Sequence, residues 1–216
     1  MLAGHIGAAL AISHLDRRVN LGVLVAASLL LDLLLWSFIL FGWESVMVPD
    51  NYAEQHQLKF NFAYSHSLSA AVIWSAMAGA ASFLWYAEHK GLGFRAVFMV
   101  SVAVLSHWLL DFTVHNPNIP LLGEASFKVG LGLWDNMPLA LLFEGGILVS
   151  GLFLFLFAAN ISALKMSAIT IICLLVLATT VVSMTIAPAP PSTVTLAESS
   201  LVIILVTCLL TGWLAK

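Results

Sequence analysis

Long apolar runs separated by short polar breaks divide this sequence into seven segments. They cover residues 2–15, 20–42, 62–87, 94–115, 137–159, 163–187 and 198–215. All but the first lie close to the roughly 20 residues that a helix needs to cross a bilayer. Polar or proline-containing stretches such as Asn116–Pro120 end these runs, because proline disfavours helical geometry in the residue before it. The pattern predicts an all-α fold: one polytopic transmembrane helical bundle over residues 1–216, whose first segment is short or re-entrant.

The composition agrees with a membrane protein and excludes a soluble domain. Of the 216 residues, 61% are hydrophobic and only 9% are charged, whereas a soluble domain carries roughly 25% charged residues. The net charge of −3 provides no basic surface for nucleic acid. The lipid bilayer is therefore the partner that the composition indicates.

The distribution of basic residues predicts the orientation. With seven spans, one side of the membrane carries only Lys59 and Lys128. The other side carries Arg17, Arg18, Lys90, Arg95, Lys165 and Lys216. The positive-inside rule makes this second side cytoplasmic. The N-terminus and the two longest loops, about 43–61 and 116–136, are then expected outside.

Ionisable residues recur inside the apolar segments. They are His5, Asp32, His66, His107, Asp111 and Glu144. Such groups are costly in hydrocarbon and usually face a bundle interior or a water-filled cavity. In the predicted topology all but Asp32 lie in the outer half of the membrane, and Asp32 lies near the middle. We therefore expect these side chains to meet around one point.

The residue types at these positions favour a metal site. His107 and Asp111 are four residues apart, so they share one face of a helix, and His115 continues that stripe. Imidazole and carboxylate together suit a divalent ion such as zinc, manganese or iron. The predicted ligands are His5, Asp32, His66, His107 and Asp111.

Glu144 is the predicted catalytic residue, either as a general base or as a partner that orients an imidazole. Three serines that flank the histidines can anchor ring nitrogens or a phosphate oxygen. They are Ser65, Ser67 and Ser106.

The same residues can also have purely structural roles. His5 can be a hydrogen-bond partner between helices. Asp32 can be a neutral acid paired with a serine, and the His107/Asp111 pair can serve only to hold two helices together. Glu144 precedes Gly145-Gly146, where close helix packing would leave it a structural hydrogen-bond partner.

The order of these motifs resembles a known family. The motifs are Gly4-His5, Leu31-Asp32-Leu33, Ser65-His66-Ser67-Leu68 and Ser106-His107-Trp108-Leu109-Leu110-Asp111. They are similar to those of the bacterial inner-membrane metal-dependent hydrolases of the LexA-regulated type. A broader set of small membrane proteins shares the pattern His-x-x-x-Asp followed by His-x-Pro-x-x-Pro-Leu, which here spans His107 to Leu121. The resemblance covers roughly the first 145 residues.

The resemblance implies a multi-pass protein of the bacterial inner (plasma) membrane with a metal cofactor, expected to be zinc. This chain has a single Asp32 where the family tends to have Asp-x-Asp, and it lacks the His-Arg that tends to precede the family's Thr-His-Ser. Metal binding is therefore implied more firmly than a dinuclear site, phosphate clamping or catalysis.

Three functions fit these observations. The first is metal-dependent hydrolysis of a lipid or phosphoester near the non-cytoplasmic face. The second is a non-enzymatic accessory, assembly or transport subunit of a membrane complex, in which the His/Asp cluster is structural or carries protons or a cation. The third is a haem-binding subunit, which the carboxylates beside the imidazoles disfavour.

Overall fold

The computed structural model describes residues 2–87 and 92–216, so the predicted cytoplasmic Lys90 lies outside the described residues. The described parts are mainly helical. The helices are α1 (Leu2–Ser13), α2 (Leu21–Ser28), α3 (Leu30–Leu40), α4 (Tyr52–Gln55), α5 (Leu68–Tyr86), α6 (Gly93–Val114), α7 (Met137–Ala158), α8 (Ala163–Thr185) and α9 (Thr193–Leu214). Two short antiparallel strand pairs lie in the loops: β1 (Ser45–Met47) with β2 (Lys59–Asn61), and β3 (Ile119–Pro120) with β4 (Lys128–Val129).

The helices confirm the predicted all-α polytopic bundle. Helices α5 to α9 are each long and apolar enough to cross a membrane, and the bent pair α2–α3 forms a sixth candidate span. Helix α1 has 12 residues, which gives a length of about 18 Å against a hydrocarbon thickness of about 30 Å. The seven predicted segments therefore correspond to five full spans, one bent span and one short helix.

The short helix α1 lies inside the bundle, and its residues from Ala3 to Leu10 are buried apart from Ala8. It packs most closely against α7, where Gly7 meets Gly151. A Cβ atom added at Gly7 would lie 2.6 Å from the backbone of Leu148, and one at Gly151 would overlap the Gly7 carbonyl oxygen. The two glycines thus allow backbone contact, and the start of α1 at Ala3 and Gly4 lies beside Glu144 of α7.

A bend of 57° separates α2 from α3 at Leu29, and residues 23–40 around it contain no proline or glycine. The Ser28 hydroxyl donates to the Val25 carbonyl, 3.0 Å away, and this kind of back-bonding bends helices. Since the last carbonyls of a helix lack a helical partner, the bend leaves the Ser28 carbonyl free. It also brings Asp32, near the start of α3, into the interior of the bundle.

We call the end of the bundle formed by residues 41–67, 115–136 and 186–192 the loop end. Both strand pairs lie there. The third span begins at Leu68 and not at residue 62, because the Ser67 side chain accepts from the Ala70 N–H and caps α5. His66 therefore lies in the loop immediately before α5.

The opposite end of the bundle is held by an ion-pair cluster around Asp16. Its carboxylate lies 2.7 Å from Arg18 Nη2 and 3.0 Å from Arg95 Nη1 at the start of α6. Hydrogen bonds from Arg18 hold the pKa of Asp16 well below its usual range. The cluster joins the α1–α2 connection to α6.

Candidate metal centre

The structure brings the five predicted ligands into one buried cluster at the loop end. His107 Nε2 lies 3.2 Å from both His66 Nε2 and Asp111 Oδ2. His66 Nε2 lies 3.5 Å from Asp111 Oδ2 and 3.6 Å from Asp32 Oδ1, which is 3.8 Å from His107 Nε2. His5 Nε2 lies 3.2 Å from Asp111 Oδ1. Two overlapping groups of these side chains can hold a metal ion: His66, His107 and Asp111, and His5, Asp32 and His107.

The hydrogen bond at His107 Nδ1 determines which ring nitrogen carries the proton. Nδ1 lies 2.7 Å from the Ser28 carbonyl oxygen that the bend at Leu29 leaves free. A carbonyl oxygen only accepts, so Nδ1–H donates and the neutral ring keeps its lone pair on Nε2. The lone pair of His107 therefore points at His66 and Asp111.

A chain of hydrogen bonds from Glu44 fixes His66 in the same way. The Glu44 carboxylate accepts from the backbone N–H groups of Tyr64 and Ser65 and from the Ser65 hydroxyl, at 2.6, 2.9 and 2.7 Å. Because the single Ser65 hydroxyl proton goes to Glu44, Ser65 Oγ accepts from His66 Nδ1, 2.8 Å away. In its neutral form, the His66 ring therefore also has its lone pair on the Nε2 that faces the cluster.

Two imidazole lone pairs and two carboxylates thus face one small volume. Ligand atoms around a tetrahedral zinc at about 2.0–2.2 Å lie roughly 3.3–3.6 Å from one another. Five of the six distances among His66, His107, Asp111 and Asp32 span 3.2 to 3.8 Å, and Asp32 and Asp111 belong to different three-residue groups. The two nitrogens and two oxygens therefore suit a divalent ion in chemistry, and each three-residue group suits it in spacing.

His5 contacts the other carboxylate oxygen of Asp111. Its ring stacks on His107 with centroids 3.7 Å apart, and neither of its ring nitrogens has a hydrogen bond among the described residues. Its Nε2 faces Asp111 Oδ1, whereas the other ligands face Oδ2 or Asp32. Two roles fit this position: an additional ligand, or a side chain that holds Asp111 in place.

His115 follows the last turn of α6 and borders the cluster. Its Nδ1 lies 3.2 Å from Asn118 Oδ1, and its Nε2 lies 3.9 Å from Asp111 Oδ2. The ring packs against Trp134 with centroids 4.1 Å apart. His115 therefore forms the rim of the site.

Glu144 of α7 is buried, and its Oε2 has no hydrogen bond among the described residues. The carboxylate faces the backbone N–H groups of Ala3 and Gly4 at the start of α1. Glu144 also lines the same cavity as Asp111 and His66. The position allows either predicted role, the proton acceptor or the structural partner.

A cavity of about 340 Å³ opens beside the cluster. Asp32, His66 and Asp111 line its floor, and α3, the β1–β2 loop, α7, α8 and α9 form its walls. The Asp32 side chain is 18% exposed, against 3% for Asp111. Asp32 is therefore the predicted ligand that a molecule in this cavity reaches first.

Sequence reasoning missed two groups that orient the imidazoles. The sequence indicated only that Glu44 lies in a loop predicted to be outside the membrane. No sequence signal indicated that the Ser28 carbonyl would be free. Of the three serines predicted as anchors, Ser65 contacts a ring nitrogen. Ser67 caps α5, and Ser106 donates to the Ala103 carbonyl of its own helix.

Comparisons with protein-family models, with curated proteins and with solved structures find no significant match to this chain. What can be said of its function therefore depends on the site itself.

Proposed function

We propose that this protein is a metal-dependent hydrolase of the bacterial inner membrane that binds one zinc ion through His66, His107, Asp111 and Asp32. The proposed substrate is a lipid or phosphoester that reaches the cavity at the loop end. The proposal includes membership of the LexA-regulated inner-membrane hydrolases, which the order of the motifs supports.

The observation that carries the proposal is the approach of His66 Nε2 to His107 Nε2 at 3.2 Å with both Nδ1 atoms already committed as donors. Two lone pairs at that distance repel one another in the neutral rings, and a divalent ion between them and the carboxylates would remove this repulsion. The charge of a divalent ion would be balanced by Asp32 and Asp111. Zinc suits a mixed set of imidazole and carboxylate ligands.

Bound zinc lowers the pKa of a coordinated water to near 7 and so supplies hydroxide at neutral pH. The chain's own groups would provide the remaining functions. Glu144 lines the cavity and would accept a proton from a water molecule there. Asp32 is the partly exposed ligand that borders the same cavity. Ser28 and Ser65 hold the two rings, as partners of metal-binding histidines do in other proteins.

The proposed orientation places the loop end on the non-cytoplasmic side, with the N-terminus outside. The charges support it, because the loop end carries Lys59 and Lys128, whereas five of the described basic residues lie on the other side of the bundle. They are Arg17, Arg18, Arg95, Lys165 and Lys216.

The test is hydrolysis of a panel of lipid esters and phosphoesters by detergent-purified protein before and after zinc is removed with a chelator. The proposal predicts hydrolysis that is lost with the chelator, restored by zinc and absent from His107→Ala. A His14→Ala protein is the matched control, because His14 is exposed and lies far from the cluster. Zinc-independent hydrolysis, or none with zinc bound, contradicts the proposal.

A further inference from the structure

The cavity beside the metal centre has a lining without a fixed positive charge. Among the described residues that line it there is no lysine or arginine, whereas Asp32, Asp111 and Glu144 are acidic. One zinc ion balances two of these carboxylates. A phosphate group would bring at least one further negative charge into a site whose described lining has no lysine or arginine to pair with it.

The two lysines at the loop end do not serve this cavity. Lys59 is exposed on β2, whereas its neighbours Leu58 and Phe60 line the cavity. Lys128 forms an ion pair with Glu124. Arginine is the usual residue for bidentate binding of phosphate, and all three arginines of the chain lie elsewhere.

The wall opposite the metal ligands carries hydroxyl groups from α8 and α9. They are Thr179, Thr180, Ser183, Ser199 and Ser200. Thr179, Ser183 and Ser199 each donate to a carbonyl of their own helix. Thr180 is 5% exposed, and its hydroxyl has no partner among the described residues. Its proton is therefore not committed to any described group.

Apart from His56, Gln57 and His115 at the loop end, the remaining lining is mainly apolar, with Leu35 and Trp36 from α3 and Leu196, Ile203 and Ile204 from α9. Both α8 and α9 also expose large apolar side chains on the outside of the bundle, as lipid-facing helices do. A molecule with a hydrocarbon chain and a neutral polar group matches these surfaces.

We propose that the substrate is an uncharged lipid carboxylic ester, whose carbonyl group lies at the metal ligands and whose neutral oxygens accept from Thr180. This proposal rests on the hydrolase function proposed above and specifies its substrate class. Water adds to the acyl carbon, and the bond from that carbon to the alcohol oxygen breaks. The proton that Glu144 takes from water passes to the departing alcohol, so the products are the carboxylic acid and the alcohol.

Two chromogenic compounds with the same alkyl length and the same leaving group test the proposal: p-nitrophenyl octanoate, a neutral ester, and p-nitrophenyl octyl phosphate, an anionic one. Both are offered to zinc-loaded wild-type protein, with His107→Ala as the background. We expect KM for the phosphate to exceed KM for the octanoate by about a hundredfold, since an unpaired buried charge is costly. KM is compared because kcat also reflects the much lower intrinsic reactivity of a phosphodiester.

A second pair of variants tests the hydroxyl wall. Thr180→Val preserves shape and removes the donor, and we expect KM for the octanoate to rise about fivefold with unchanged zinc content. Thr170→Val on the same helix is the control, because Thr170 does not line the cavity.

The outcomes separate this proposal from the one on which it rests. Zinc-dependent hydrolysis of the phosphate but not the octanoate overturns the ester proposal and leaves the hydrolase function standing. An equal KM for both compounds overturns it too, as does an unchanged KM in Thr180→Val. Hydrolysis of neither compound by zinc-loaded protein counts against both proposals.

Discussion

His66 Nδ1 is linked to Glu44 through a single serine hydroxyl, although Glu44 lies 22 positions earlier in the chain. The β1–β2 pair makes this contact possible, because it returns the chain from Glu44 to the start of α5. The acid in the loop before β1 thus determines which nitrogen of a buried neutral imidazole faces the cluster.

Glu44→Gln is expected to weaken zinc binding without removing a ligand. The amide can donate as well as accept, so it no longer requires the Ser65 proton, and His66 loses its fixed tautomer. We expect the Kd for zinc to rise by roughly 10- to 100-fold, as for outer partners of other metal ligands. Competition with a chromogenic chelator measures it.

Glu54→Gln is the matched control for this variant, because Glu54 is exposed on α4 and has no hydrogen bond to the cluster. Equal zinc affinity in wild-type and Glu44→Gln protein would show that the hydrogen-bond chain has no influence on the metal.

The Glu144→Gln variant tests whether Glu144 acts as a general base or as a metal ligand. The amide keeps the shape of the side chain but cannot take a proton, so we expect full zinc content and a loss of about 10²- to 10⁴-fold in kcat. Glu198→Gln, at an exposed position of α9, should match wild type in both. If Glu144→Gln loses zinc, Glu144 is a ligand; if it keeps both zinc and activity, its role is structural.

The proposed orientation predicts the labelling of single cysteines introduced after Cys173 and Cys208 are replaced by alanine. Asn51→Cys and Ala125→Cys at the loop end should react with an impermeant maleimide in intact cells or spheroplasts. Leu15→Cys, exposed at the opposite end, should react only after permeabilisation. The reverse pattern would place the metal centre on the cytoplasmic side.

Asp16→Asn is expected to lower the melting temperature at pH 7, because it removes the ion pairs to Arg18 and Arg95. The pKa of Asp16 in the folded protein lies below its ordinary value of about 3.9. Its contribution is therefore complete above the ordinary pKa and is lost as the pH falls through the lower folded-state pKa. The difference in melting temperature between wild-type and Asp16→Asn protein should therefore narrow only in strong acid. A difference that stays constant with pH would show that the Asp16 ion pairs are not its cause.

The parts of the site that follow from local sequence were predictable. His107 and Asp111 share a helix face by spacing alone, and the common depth of His5, His66 and Asp111 followed from the order of the spans. Their convergence was expected on the cost of scattered ionisable groups. Their roles as metal ligands stay a prediction.

Other parts depend on contacts that sequence patterns do not encode. The bend at Leu29 occurs within a run of leucines, and only the preceding Ser28 hints at it. The Glu44–Ser65 contact depends on the register of a three-residue strand pair. The sequence contains the adjacent hydroxyl residues Thr179-Thr180 and Ser199-Ser200. Only the packing of α8 and α9 shows that both pairs line one cavity.

The measurement that tests the account most directly is the zinc content of the purified chain. Elemental analysis after dialysis should find about one zinc per wild-type chain, because the two possible ligand groups share His107. His66→Ala and His107→Ala should each lose it, while His14→Ala keeps it. Wild-type protein without bound divalent metal, after purification in the absence of chelator and incubation with zinc, would contradict the account and leave the histidines as hydrogen-bond partners between helices.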